Sequence, residues 1–559
     1  MRSILLLFLC SCLLALSSLA QLVPYPRYVG DDDHALRLAL AASSQSGVQL
    51  SLQPFTYSDV AHFVHVLDSA WGLADGRLAW NVGDARQRLD LPSAARPDRA
   101  DKGWWTRTFY RNPAYAISLS RPGFELQVNP VLALEAGGQS DVIGNLDGVV
   151  MRNTRGLSLR GSVDNRVWFS TTIHENQARL ASWERQWRRE YNDRVPGVGF
   201  YKDYDPILFD ATDAVDYIQA TGEIGFRLTK HIRFLAGHGN PRLGIGYRSM
   251  LLDDFVDPYL YAQLDTRVWK LHYRNTYTSM QDGVQSFGRI ARKFTVAHQL
   301  GVQLTPAWEF GVTEQTVFVR DNGFDAQYLN PVIFYRAVEQ DNGSPDNAMI
   351  GAYSTLRLGR SGVIYGQFLF DELKVDRLLG GDGWWANKFS FQLGSKLFDV
   401  GGIAGLDLNA EFNQVRPFTY AHRRASTAYT HYDQPLAHPW GAGLQEVSAQ
   451  LKYRLKPSWM IEASHVSLLQ SQPSLDEDVS NGVNILRSNE LRARDFGYEV
   501  LSSVREDKHL TRLRVSWLPV PGASIYLEGS NYAGINALES QQGVRFGLTL
   551  NATQRSGVF

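Results

Sequence analysis

Along most of the chain, polar and apolar side chains alternate with a period of two. In Val268–Arg274, Trp269, Leu271 and Tyr273 alternate with Lys270, His272 and Arg274, and Tyr277 resumes the apolar face beyond Asn275. The stretches Phe389–Gly394, Leu406–Phe412, Val447–Leu455, Leu513–Trp517 and Val544–Leu550 repeat the pattern. One face carries Lys, Arg, Asp, Glu and Gln; the other carries Leu, Val, Phe, Trp and Tyr. A soluble sandwich alternates in the same way, so the period predicts strands without choosing between sandwich and barrel. Three features favour a membrane barrel. Apolar faces end in Trp or Tyr (Trp168, Trp269, Tyr365, Trp459, Tyr526), as expected of interfacial girdles. Polar loops of uneven length separate the strands, and the last residue is Phe559, although Asn551–Gly557 breaks the alternation before it. From Gly103 onward, ~25 residues per strand and connection gives about 18 strands. The fold class expected is all-β, a transmembrane antiparallel barrel with a small N-terminal helical part.

That helical part is predicted from residues 21–102, before the barrel at 103–559. Asp31, Asp32 and Asp33 precede the Ala/Leu-rich run His34–Ala42, and a second helix is expected over Tyr57–Leu67, again with Ser and Asp at its start. Three consecutive aspartates suggest either a calcium site or an N-terminal cap at the helix dipole, and the cap is the favoured reading. Within the barrel region, Gln177–Tyr191 reads as a helix with Trp183 and Trp187 on one face and Arg185, Arg188 and Arg189 nearby. It fits a loop helix packed on the rim better than a basic anchor or part of a polysaccharide groove.

The first twenty residues read as a secretory signal peptide: Arg2, an apolar run from Ile4 to Leu16, and small residues at Ser18 and Ala20. Both cysteines, Cys10 and Cys12, fall inside it, which argues against a disulfide scaffold, a thiol nucleophile or a Cys-ligated zinc in the rest of the chain. No later stretch approaches the ~18 apolar residues of a helical span. For an exported membrane protein the closed barrel is then the remaining solution, because it satisfies every backbone polar group in lipid.

Of the 559 residues, 56 are Lys or Arg and 57 Asp or Glu, a net charge of -1 that speaks against a nucleic-acid partner. The 27 Phe, 25 Tyr and 14 Trp exceed what an ordinary soluble domain needs. Many of them gather with donors in Glu411–Glu446, which contains Arg416, Tyr420, His422, His431, Tyr432, His438 and Trp440. Rings with polar tips beside guanidinium and imidazole donors suit carbohydrate, while girdle or loop packing is the competing reading for any one of them. The three histidines share no i,i+2 or i,i+4 spacing, so no metal is expected. A second cluster holds Asp371, Glu372, Trp384 and Trp385. Asp371 and Glu372, adjacent in a strand, point to opposite faces and cannot flank one glycosidic bond. No nucleophile elbow, zinc-protease motif or phosphate loop is present, and neither an enzyme nor a cofactor is expected. A triad assembled from distant barrel strands would leave no such local motif, so a hydrolase stays a minority reading.

Several segments together resemble the Wzi-type capsule assembly family, in particular a branch found in Bacteroidota. They are Gly237–Gly239 with Gly244–Ser249, Leu329–Pro331 with Asp346–Asn347, Tyr365–Glu372, Asn387–Lys388, Glu411–Tyr420, His431–Tyr432 and Pro435–Ala442. The resemblance implies an outer-membrane barrel of about 18 strands with helices on the periplasmic side. It also implies a non-enzymatic lectin that attaches capsular or other extracellular polysaccharide at the cell surface. Outer-membrane lipid, lipopolysaccharide and the barrel-assembly machinery would be further partners. Trp384, Trp385, Arg416, Tyr420, His422, His431, Tyr432, His438 and Trp440 are the candidate carbohydrate contacts. A porin, or a gliding- or adhesion-related surface protein of the same branch, is the alternative.

Overall fold

A computed structural model describes residues 33–46, 49–51, 55–70, 76–89, 115–141, 146–164, 166–204, 214–283, 291–332, 334–343, 345–372, 381–520, 522–534 and 540–553. The expected signal peptide, Asp31, Asp32 and Phe559 lie outside them.

Eighteen antiparallel strands close into a barrel. In chain order they are β1 (Phe124–Asp141), β2 (Leu146–Val163), β3 (Val167–Arg179), β4 (Ala214–Arg227), β5 (Ile232–Gly239) and β6 (Tyr259–Val268). The middle third is β7 (Leu271–Gln281), β8 (Arg292–Gln303), β9 (Trp308–Phe318), β10 (Asn347–Arg357), β11 (Gly362–Glu372) and β12 (Lys388–Leu397). The last third is β13 (Leu406–Val415), β14 (Leu444–Lys456), β15 (Trp459–Ser471), β16 (Arg505–Trp517), β17 (Ala523–Ala533) and β18 (Gln541–Leu550). Closure pairs Leu132–Asp141 of β1 with β18. Two short strands lie beside this ring: Ile117–Arg121 against the start of β1, and Lys202–Tyr204 against the start of β4.

The connections separate by length, as the uneven loops predict. Trp269–Lys270 and Pro457–Ser458 are two-residue turns at one end of the barrel, whereas the described residues of 180–204, 240–258, 319–332, 334–343, 416–443 and 472–504 lie at the other. The alternation sorts the strand faces. Leu393, Val447, Leu451, Leu513, Leu527 and Phe546 are exposed on the outer wall, and Gln392, Asn413, Gln450 and Glu528 are buried on the inner one. An apolar outer band over a polar lumen is the pattern of a barrel that contacts lipid.

The girdle expectation is only partly met. Trp269 and Trp459 are exposed on the outside, but Trp168, Tyr365 and Tyr526 are buried and occupy lumen-facing positions. Trp168 and Tyr365 pack against the N-terminal helices, and Tyr526 lies under the Arg514 guanidinium at 4.2 Å. Their strand parity, not their residue type, sets the side they occupy.

Among the described residues, three helices precede the barrel: α1 (His34–Ser46), α2 (Tyr57–Ala70) and α3 (Gly76–Leu89). The first two were expected; the third, whose 14 residues include Arg77, Arg86 and Arg88, was not. All three plug the turn end of the lumen. Asp33 meets Lys396 at 2.6 Å, Asn409 at 3.2 Å and Lys452 at 3.4 Å, all on the inner wall. Burial alone would raise the Asp33 carboxyl, but the two lysines hold it well below the usual range. Asp59 caps the first turn of α2 through the Thr56 amide at 2.9 Å and also accepts from Arg267 and Arg233. The backbone after α1 is tied to the wall by Glu309, which accepts from the Leu50 amide at 2.6 Å.

The helix expected over Gln177–Tyr191 is shorter. β3 continues to Arg179 because Gln177–Arg179 pair with Ala214–Asp216, and only α4 (Ser182–Glu190) is helical. Trp187 of α4 is fully buried, stacked on Tyr191 at 4.3 Å and donating its indole N–H to the Pro439 carbonyl at 3.1 Å. The rim-packing reading therefore fits.

Candidate functional site

Two long loops turn back into the lumen and meet the plug. In segment 240–258, Gly244 adopts φ 105°, and its amide reaches the Ser51 carbonyl at 2.8 Å. A Cβ there, or at Gly246, would collide with Gln367 or Glu411 respectively, so glycine permits both the backbone conformation and the close approach. Beyond them Arg248, fully buried, forks onto Glu446 with two bonds of 3.1 Å. Glu411 accepts from the Tyr247 amide (2.8 Å), the Arg248 amide (3.0 Å), the Tyr365 hydroxyl (2.8 Å) and Asn413 (2.7 Å). Gln367 receives the Met250 amide at 2.8 Å and donates to the Leu243 carbonyl at 3.0 Å.

Segment 416–443 lies beside it. Asp371 binds Lys388 at 3.0 Å and receives the Tyr420 amide at 2.8 Å, while the Tyr420 hydroxyl bonds Met250 and Ser390. His431 accepts the Gln281 amide at 3.0 Å, and His438 lies 3.3 Å from Glu446. Burial, reinforced by Lys293, holds the His431 imidazolium pKa down at about 3. Burial and Lys388 bring His422 to about 3 as well. The Trp440 ring sits under the Lys508 ammonium at 3.9 Å.

The candidate contacts therefore divide. Tyr420, His431, His438 and Trp440, expected as sugar contacts, are each 1% exposed or less and sit inside the loop plug. The structure corrects their placement: the sequence shows density of aromatic and basic types, but not that this loop folds inward to satisfy wall carboxylates. Tyr432 is half-buried elsewhere, beside Gly199 and the Arg194–Asp433 ion pair. Asp371 serves the plug.

Trp384, Trp385 and Arg416, all half-buried, come together at the loop end, while His422, also half-buried, bonds Thr427 at 2.6 Å. There the structure adds residues that the sequence reading did not select. Segment 381–387 pairs with 495–498 through the Trp385 amide to Asp495 carbonyl (2.9 Å) and the Tyr498 amide to Gly383 carbonyl (2.9 Å). Arg492 covers the Trp385 ring at 4.2 Å, Trp385 meets Phe418 edge-on at 5.7 Å, Phe418 meets Tyr498 at 5.0 Å, and Arg494 lies 5.3 Å over Tyr498. Arg416 donates to the Tyr498 carbonyl at 3.0 Å. Exposed Arg423 and Arg424 flank the group, joined to it where Ser488 donates to the Arg423 carbonyl. The dense run Arg492–Tyr498 could have signalled this patch, but its partner loop is about a hundred residues upstream.

The rest of the lumen differs. A cavity of about 510 Å³ runs along β1–β4 and β14–β18, from Trp183 and Pro196 near the loop end to Tyr57 and Thr553 at the turn end. Its wall pairs charges across neighbouring strands: Arg514 with Glu528 at 2.6 Å and Arg545 with Glu135 at 3.3 Å.

Wzi of Escherichia coli, described as an outer-membrane protein involved in group 1 capsule assembly and a carbohydrate-binding β-barrel, superposes with a TM-score of 0.53 at 12% identity. The match covers 96% of this chain and 100% of that one. The shared property is the fold. OccK8 (OprE) and OprD of Pseudomonas aeruginosa match 76% of the chain at 8% and 10% identity, with TM-scores of 0.39 and 0.37. No family model matches the sequence, and no curated protein does either.

Proposed function

We propose that this protein is an outer-membrane barrel that binds capsular or other extracellular polysaccharide through its loop end and holds the polymer at the cell surface without catalysis. The observation that carries this is the patch of half-buried Trp384 and Trp385 with Arg416, Arg492 and exposed Arg494, backed by the buried rings of Phe418 and Tyr498. Rings offer flat faces to sugars, and guanidinium forks favour a polymer bearing carboxylates. Each patch would bind weakly, but one polymer engaging many barrels gains by effective concentration. That Wzi is a carbohydrate-binding barrel of the same fold supports the reading. In a deletion strain complemented with Trp385→Ala plus Arg492→Ala, polymer is expected to move from cells to medium at equal total synthesis and normal surface level of the protein. An unchanged partition overturns the proposal.

The cavity favours a second reading, a channel for small polar solutes. Planar-bilayer recordings decide it: steady conductance that changes ion selectivity in Arg512→Glu supports transport, and an electrically silent barrel opposes it.

A further inference from the structure

The motif residues Leu329–Pro331 and Asp346 belong to neither the plug nor the patch. They shape a strap on the outside of the barrel. Asp346 forks onto Arg320 with two 2.7 Å bonds and receives the Tyr328 hydroxyl at 2.8 Å, anchoring the strap at the loop end. From there residues 329–331 descend along β7: the Leu329 carbonyl accepts from the Tyr277 hydroxyl at 3.2 Å, and the Pro331 carbonyl from the Tyr273 hydroxyl at 2.6 Å and Asn275 at 3.2 Å. The chain then climbs through a short helix, α5 (Tyr335–Asp341), whose Tyr335 and Arg336 amides both donate to Glu314 at 2.8 Å. The Tyr335 ring stacks on His298 at 3.8 Å.

Asn275, His298 and Glu314 share the outward parity of exposed Leu271, Leu300 and Val312 on the same strands, yet all three are buried, beneath the strap. On either side the outer wall is apolar at this level: Ile350, the register partner of Glu314, is 54% exposed, and Leu264, the register partner of Asn275, is half-buried. The strap thus interrupts the apolar band rather than standing above it. Its own lowest segment restores that band, with Val332 82% and Phe334 76% exposed. Irregular backbone survives at membrane depth only where its polar groups are satisfied by protein, and Tyr273, Asn275 and Glu314 do that here.

We infer that Val332 and Phe334 are a membrane-inserted tip, seated among the acyl chains of the outer leaflet and continuous with the barrel's lipid-facing surface. Acyl chain is the fitting partner because the tip is flanked by lipid-type side chains and offers no charge of its own. The inference rests on the barrel's spanning a membrane, so the test carries its own control. Single cysteines are placed at position 332, 334, 447 or 475 of the full chain in a background with Cys10→Ser and Cys12→Ser. Each is labelled with bimane and reconstituted in phosphatidylcholine vesicles, with folding checked by heat-modifiable gel migration. With brominated acyl chains, labels at Val332→Cys and Phe334→Cys are expected to lose most of their emission, as Val447→Cys on the outer wall does. Leu475→Cys, on the fully exposed loop, should instead respond to aqueous iodide. If Val447→Cys is quenched by bromolipid but both tip labels respond only to iodide, the inserted tip is wrong while the membrane barrel stands. If both tip labels are shielded from both quenchers and cross-link between copies, the occupant is a second chain, which also overturns the inference. An unquenched Val447→Cys removes the membrane premise and the inference with it.

Discussion

The two halves of this lumen have inner walls of the same polar character but opposite fates. On the side of β5–β14, wall residues such as Glu309, Gln367, Asp371 and Glu411 bond to backbone amides of inserted segments, so the space is filled. On the side of β1–β4 and β14–β18, arginine and glutamate on neighbouring strands neutralise one another, and a cavity is left. A buried carboxylate costs several kcal/mol unless paired. Pairing with a loop builds a plug, whereas pairing with the adjacent strand permits a wet lumen. The choice of partner, more than the amount of charge, decides whether a barrel is filled.

The largest expected break in this contrast comes from Glu446→Ala. It strands Arg248, which is wholly buried, and removing one partner of a buried pair costs about 3–5 kcal/mol. Thermal unfolding followed by heat-modifiable migration should show a marked loss, and proteolysis should show segment 240–258 released. Arg514→Ala, in the cavity half, also breaks an ion pair but next to water, and should cost markedly less in the same assay. Equal losses for the two substitutions would erase the distinction between the halves.

Tyr420→Phe should come next, at about 1–2 kcal/mol, because the Met250 carbonyl and Ser390 hydroxyl lose a buried donor or acceptor. Acidification is a gentler probe of the filled half. His431 is neutral when folded, with a pKa near 3 against about 6.5 unfolded. The unfolded chain therefore binds more protons between those values, and the histidine's contribution is full above the upper one and falls as pH drops towards the lower. The opening free energy of segment 416–443, taken from hydrogen exchange after correction for the pH dependence of the intrinsic exchange rate, should fall from pH 7.5 to 5, and less so in His431→Gln. The loop-end patch is half-buried and open to solvent: Trp385→Ala with Arg492→Ala should cost markedly less stability than Glu446→Ala while changing polymer retention.

The period of two marked several of the strands, because a strand with one apolar and one polar face alternates whatever its neighbours are, and chain length gave their approximate number; the run Val268–Arg274, however, spans the Trp269–Lys270 turn between β6 and β7. The start of α2 was legible for a similar local reason, because Asp59 in its first turn accepts from the Thr56 amide and such a pairing is read within one turn, whereas Asp33 ahead of α1 turns its carboxylate to Lys396 and Lys452 on the wall. Loop lengths, and hence the two unlike ends of the barrel, also follow from the sequence.

Position inside or outside the ring did not. Trp168 and Tyr365 look like girdle residues until strand pairing places them in the lumen. Tyr420, His431, His438 and Trp440 have the composition of a sugar site, and only the return of their loop to Glu446 and Asp371 makes them plug. The patch of Trp385 with Arg492, and the strap of Pro331 over Asn275, join segments far apart in the chain. Alternation is a property of consecutive residues, so the sequence alone determines it. Which carboxylate meets which distant amide depends on the closure of the ring and the register across it, and only the tertiary structure decides that.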